Sequence, residues 1–208
     1  MSQAAELARR LSGAIGDERV LAAVACMPRD RFVCESELHR AYENVALPIE
    51  CGQTISQPLV VARMLEVLEL RFADRVLDVG TGSGYHAALL ALLAGHVWTV
   101  ERHAELSERA RAAISSLGLD NVTFVVGDGW EGLPAQAPFD AINVAAAVRE
   151  EVPRALEEQL ADRGRLVAPV GGRSQHLMLS RRSGPCWQRT RLEPVRFVPL
   201  VRRSDVGA

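Results

Sequence analysis

Val76-Leu77-Asp78-Val79-Gly80-Thr81-Gly82-Ser83-Gly84-Tyr85 is the stretch on which the reading of this chain turns. The apolar run from Arg75 is short enough for a buried strand, an aspartate interrupts it near its end, and glycines follow at every second position. Glycines at 80, 82 and 84 permit unusual backbone angles and let a ligand approach the main chain closely. In a doubly wound sheet, ligands lie beyond the carboxyl ends of the strands where strand order reverses, so this strand should be the first of its unit. Downstream, short apolar runs alternate with helical patterns. Strands are expected at Arg75–Val79, His96–Glu101, Val122–Val126, Phe139–Val144 and 164–170, and helices over 59–70, 85–94, 104–117 and 150–160. This alternation predicts parallel strands joined by right-handed crossovers. The runs 176–180 and 186–201 read as extended strands joined by a turn at Ser183-Gly184-Pro185, completing the sheet edge antiparallel.

Upstream, helical spacing covers 4–11 and 17–27, with Asp17 as N-cap of the second segment and Pro28 as its stop. Residues 29–58 read as loop, and a loop of that length suggests function. The expected fold class is α/β: a Rossmann-like doubly wound sheet, mostly parallel with an antiparallel C-terminal strand, plus an N-terminal helical segment. One domain spans 1–208, with 1–58 a helical cap and active-site loop and 59–208 a cofactor-binding core.

Three features give the glycine turn its chemistry. Its spacing is not the Gly-x-Gly-x-x-Gly that fits a pyrophosphate to a helix N-terminus. Asp78, just before the glycines, would repel a pyrophosphate but suits a ligand carrying an ammonium and a sulfonium; a plain turn-capping acid is the bland alternative. Glu101 ends the second strand about 20 residues on, where an acid accepts bonds from ribose hydroxyls. Asp128, in Gly127-Asp128-Gly129 after the third strand, could accept from an adenine amino group while Trp130 covers nearby surface, or could be a simple turn aspartate. Together these point to S-adenosylmethionine, which has no phosphate.

The whole-chain numbers bound the rest. With 208 residues, 48% hydrophobic and 24% charged, the chain can bury its own core, and a formal net charge of -2 offers no general attraction to nucleic acid or an anionic membrane. Arg173, Arg181, Arg182, Arg189, Arg191, Arg196, Arg202 and Arg203 could make one C-terminal face basic, and a solvated outer face is the preferred reading. Cys26, Cys34, Cys51 and Cys186 show no metal-ligand spacing, so no metal is expected. With no signal core or membrane span visible, a cytoplasmic monomer with reduced thiols is expected. None of the five histidines is assigned a role.

The chain also resembles the protein-L-isoaspartate (D-aspartate) O-methyltransferases nearly from end to end. The resemblance lies in Asp17-Glu18-Arg19-Val20-Leu21, Pro28-Arg29, Phe32-Val33, Gly52-Gln53-Thr54-Ile55-Ser56-Gln57-Pro58 and the turn from Asp78 to Tyr85. It continues in Gly127-Asp128-Gly129, Ala137-Pro138-Phe139-Asp140-Ala141-Ile142, Arg163-Gly164-Arg165-Leu166-Val167, Pro169-Val170-Gly171 and Val195-Arg196-Phe197-Val198-Pro199-Leu200. It implies methyl transfer from S-adenosylmethionine to the free carboxylate of L-isoaspartyl and D-aspartyl residues in damaged proteins and peptides, starting repair through a succinimide. It implies Ser56 and Thr54 as catalytic residues. Cofactor contacts would fall on Gln53, Thr54, Ile55, Ser56, Asp78, Gly80, Thr81, Gly82, Gly84, Tyr85, Val100, Glu101, Arg102, Gly127, Asp128 and Gly129. A carboxylate with a pKa near ~4 is already an ionised nucleophile, so Ser56 is read as an orienting donor. A Ser-His-Asp hydrolase is excluded because Ser56 lacks a Gly-x-Ser-x-Gly elbow.

The chain departs from the family at Glu50, where glycine is usual, and at Ala145-Ala146-Ala147-Val148, where Thr-Ala-Ala-Pro is common. Glu50 either repels an anionic substrate or points outward, the second being preferred. Asn143 stands where an aliphatic residue or a histidine is common, and either bonds the backbone, the preferred reading, or helps hold substrate. Two alternatives accompany the main reading: methylation of ordinary aspartate in a dedicated peptide, and a non-catalytic module that binds S-adenosylmethionine.

Overall fold

Val76, Leu77 and Val79 are fully buried because strand Arg75–Val79 lies at the centre of a sheet, covered on both faces. The computed structural model describes residues 2–202. Its elements in chain order are α1 (Gln3–Leu11), α2 (Glu18–Cys26), β1 (Leu47–Pro48), β2 (Thr54–Ile55), α3 (Pro58–Val67), β3 (Arg75–Val79), α4 (Tyr85–Leu93) and β4 (His96–Glu101). Then follow α5 (Ala104–Ser116), β5 (Val122–Val126), β6 (Phe139–Val144), α6 (Arg154–Glu158), β7 (Leu160–Val170), β8 (Gln175–Ser183) and β9 (Cys186–Val195). The main sheet has the order β5-β4-β3-β6-β7-β8-β9. Its pairs are parallel from β5 to β7, and β7-β8 and β8-β9 are antiparallel. Strand order reverses beside β3, as a doubly wound sheet requires.

Asp17 caps α2 as expected, accepting from the backbone N–H of Arg19 and Val20. Segment 29–58 is not a plain loop. It folds into three 3-10 turns and the small β1-β2 ladder, in which Leu47 faces Ile55 and Pro48 faces Thr54. Arg29 organises it: its buried guanidinium donates to the carbonyls of Ala41, Val45 and Ser56.

One other expectation is corrected. The helix expected over 150–160 shrinks to Arg154–Glu158, and β7 begins at Leu160. Pro153 sets the late start, and Gln159, at the helix end, turns its side chain inward to serve the Leu133 N–H and the carbonyls of Glu131 and Ala155. The sheet edge is completed antiparallel by β8 and β9, the two extended strands expected around Ser183-Gly184-Pro185. Arg165 ties this edge to the centre, donating to the carbonyls of Leu68, Glu69 and Asp140 and pairing with buried Asp74. The core cluster that begins at Leu7 in α1 continues through α2, α3 and α4 to Leu177 and Leu179 in β8.

Candidate active site

The glycine turn after β3 forms one wall of a cleft at the carboxyl end of the sheet. Its φ angles are +89° at Gly80, +51° at Gly82 and +89° at Gly84, values that side-chain-bearing residues rarely adopt. Gly80 N–H donates to the Val100 carbonyl at 2.9 Å, fastening the turn to β4. The facing wall is Gln53, Thr54, Ile55 and Ser56 from the β2 region. Val100, Glu101, Arg102 and Gly129 line the floor, with Ala145 and Ala146 after β6 and Val198 to Val201 along one side. Ala147 holds that last segment through bonds with Val198 and Leu200 of 2.7 and 2.8 Å. The small side chains of the Ala145-Ala146-Ala147 run leave room for it.

Glu101 is buried and lines the cleft. One carboxylate oxygen accepts from Gly82 N–H at 3.0 Å and the other from His103 N–H at 3.0 Å. Each oxygen keeps a second lone-pair direction for a ligand hydroxyl. The glycine turn and the acid are thus one rigid unit.

Asp78 behaves differently from the expectation that it meets the ligand. Its carboxylate is fully buried beneath the turn and does not line the cleft. Thr99 Oγ1 donates to it at 2.8 Å and Asn143 Nδ2 at 2.7 Å. Because the Thr99 hydroxyl proton is committed to Asp78, Thr81 must donate in the 2.6 Å Thr81–Thr99 contact. Asp78 therefore fixes Thr81, a cleft residue, through Thr99. Burial raises its pKa to about 6, the Asn143 and Thr99 bonds lower it, and Glu101 repulsion adds to the rise. The preferred backbone role for Asn143 is corrected, since its amide serves Asp78.

Gly84, Gly127 and Asp128 are not among the residues that line the cleft. Gly84 is the N-cap of α4, and Asp128 accepts from its own Trp130 N–H at 2.9 Å. Trp130 does not cover the cleft; the Arg202 guanidinium lies 4.1 Å from its ring centroid, over a neighbouring groove. Glu50 is paired with Arg109 and accepts from Cys34 Sγ at 3.5 Å, so its charge is compensated locally.

The sequence reading passed over Ser83, His86, His103 and the Val198 to Val201 wall. His86 follows Tyr85 in the first turn of α4, which could have flagged it. Burial lowers its pKa to about 4, so it is neutral at pH 7. Ser56 is half-buried, and its hydroxyl has no hydrogen-bond partner among the described residues. Thr54, Ser56 and Val198 also border a second, outer groove formed with Ala46, Gln57, Val60 and 194–197. Ser56 therefore stands where two cavities meet.

The family model for protein-L-isoaspartate(D-aspartate) O-methyltransferase matches residues 3–205. The chain belongs to this family. It is 50% identical over 191 residues to the protein-L-isoaspartate O-methyltransferase of Vibrio parahaemolyticus, covering 92% of this chain and 91% of that one. The Aeromonas hydrophila protein of the same name is 54% identical over 187 residues, covering 90% and 91%. A solved protein-L-isoaspartate O-methyltransferase superimposes with a TM-score of 0.85 at 30% identity, covering 93% of this chain and 64% of that chain. A Plasmodium falciparum protein assigned as a protein-L-isoaspartate O-methyltransferase, solved with S-adenosyl-L-homocysteine, gives 0.83 at 26% identity, covering 97% and 99%. The doubly wound sheet is the Rossmann-like fold of class I methyltransferases, with Gln53 to Ser56 lining the same cleft as the glycine turn.

Proposed function

We propose that this chain transfers a methyl group from S-adenosylmethionine to the free carboxylate of isoaspartyl residues in proteins and peptides, as a protein-L-isoaspartate O-methyltransferase. The observation that carries the reading is the position of Ser56, shared between the glycine-turn cleft and the outer groove. One cavity suits the cofactor and the other a polypeptide chain, and they touch at a hydroxyl.

The cleft fits the cofactor. Gly80 and Gly82 offer bare backbone, Glu101 has acceptor capacity for hydroxyls, and Ile55, Val100, Leu200 and Val201 supply apolar walls. When bound, S-adenosylmethionine supplies a sulfonium methyl to an attacking nucleophile. A carboxylate is ionised at neutral pH, so the chain need not supply a base. Its task is to hold two reactants in contact, which can provide most of the acceleration. The Ser56 hydroxyl donates to the substrate carboxylate and orients it, Thr54 borders the same junction, and Arg29 anchors the loop by holding the Ser56 carbonyl. The methyl ester then closes to a succinimide without the protein: the neighbouring backbone nitrogen attacks the ester carbonyl and methanol leaves with the amide proton. The chain is taken to act as a monomer in the cytoplasm, on polypeptides rather than nucleic acid or membrane.

Labelled S-adenosylmethionine offered with an isoaspartyl peptide and with its aspartyl twin tests this reading. Label should enter the isoaspartyl peptide alone; transfer only to the twin would overturn repair in favour of programmed methylation of aspartate. Ser56→Ala should lower turnover at least about tenfold, the cost of one charge-assisted hydrogen bond, with S-adenosylhomocysteine affinity little changed. Full activity would remove Ser56 from this role.

A further inference from the structure

Segment 194–202 has a second groove on its far side, about 1000 Å³ in volume, walled by Trp130, Arg149, Gly171, Arg173, Arg196 and Arg202 among others. It shares Pro199, Leu200 and Val201 with the cofactor cleft, and Arg196 and Phe197 with the outer groove beside Ser56. A polypeptide seated at Ser56 and running over this segment would enter it. Among the described residues, no aspartate or glutamate lines it.

The charge here is out of keeping with the rest of the molecule. The chain has no lysine, its net charge is -2, and several arginines elsewhere are paired, among them Arg63 with Glu66 and Glu193, Arg181 with Glu69, and Arg189 with Glu157. Arg149, Arg173 and Arg196 are exposed and make no ion pair or hydrogen bond among the described residues. Three such guanidinium groups around one groove attract anions, and the planar fork of arginine matches a carboxylate bidentately.

Resting on the methyl-transfer reading above, we propose that this groove binds acidic side chains flanking the isoaspartyl residue, so that the chain prefers damaged sites in acidic polypeptide segments. The exposed pairs are individually weak, so the preference is modest and sensitive to salt.

The test uses two isoaspartyl peptides of equal length, one with Glu and Asp on both flanks and one with Gln and Asn there. The acidic peptide should show a KM about three- to tenfold lower, the sum of a few exposed ion pairs, at similar kcat, and the gap should close in high salt. The double variant Arg149→Gln, Arg173→Gln should narrow the gap while leaving kinetics on the neutral peptide unchanged. Equal KM values for the two peptides, or a gap that the double variant keeps, would overturn the proposal. Fluorescence anisotropy with a labelled acidic peptide lacking isoaspartate separates the two readings. Binding that weakens in the double variant supports the groove even if neither isoaspartyl peptide is methylated, in which case the methyl-transfer reading alone falls. Tighter binding of a single-stranded oligonucleotide than of an acidic peptide of equal charge would overturn the polypeptide occupant in favour of nucleic acid.

Discussion

Replacing Asn143 by leucine removes one of two side-chain donors to a carboxylate that has no contact with solvent. The Asn143 amide lies 2.7 Å from Asp78 Oδ1, and both residues are fully buried. Folding raises the Asp78 pKa from 3.8 to about 6, so the native state binds this proton more tightly than the unfolded chain does. Stability therefore falls as pH rises from about 4 through 6 and is flat above, by roughly 3 kcal/mol in all for two pH units. A hydrogen bond to a charged group contributes about 1.5–3 kcal/mol, so losing it should raise the Asp78 pKa further, to roughly 7–8. In Asn143→Leu the fall in stability then continues to that pH. The variant should match the parent closely at pH 5, where Asp78 is protonated in both native states, and be less stable by about 1.5–3 kcal/mol at pH 8. Urea denaturation at pH 5, 6, 7 and 8 measures this directly. A loss of equal size at every pH would mean that packing, not the carboxylate, sets the cost, and would refute the charge argument.

Glu101→Ala removes the acceptor of the Gly82 and His103 N–H groups as well as the proposed ribose contact; S-adenosylhomocysteine affinity should fall at least about tenfold by calorimetry, and unchanged affinity would disprove the contact. Arg29→Met strips three carbonyls of their donor, so thermal unfolding should show a loss of roughly 2–5 kcal/mol and the peptide KM should rise as the Ser56 loop loosens. Gly84→Ala combines a φ of +89° with a Cβ 2.8 Å from that of Ala110, where α4 and α5 meet. A destabilisation of about 1–3 kcal/mol is expected in urea titration, and a neutral outcome would show that α5 shifts freely.

Much of the fold was legible because burial on both sheet faces leaves a plain mark. Four of the five parallel strands, Arg75–Val79, His96–Glu101, Val122–Val126 and Phe139–Val144, are short apolar runs with turn residues after them, and their bounds stand as expected, although β5 lies at the sheet edge and is only partly buried. Segment 29–58 was less legible, since its 3-10 turns are held by one buried arginine reaching three distant carbonyls, and no local pattern announces such a contact. The helix over 150–160 was misjudged because Gln159 is polar yet buried, spending its amide on partners up to 28 residues away.

By itself the sequence determined the chemistry of the turn: three glycines after a buried strand and an acid closing β4 restrict the ligand. The Thr54-Ile55-Ser56 run is where the family resemblance places the meeting of cofactor and substrate. Only the tertiary structure decided what each carboxylate does. Glu101 opens to the cleft, whereas Asp78, at the end of β3, is sealed below it by Thr99 and Asn143 from the neighbouring strands. Strand register brings those three side chains together, and register is a property of the sheet rather than of any one strand.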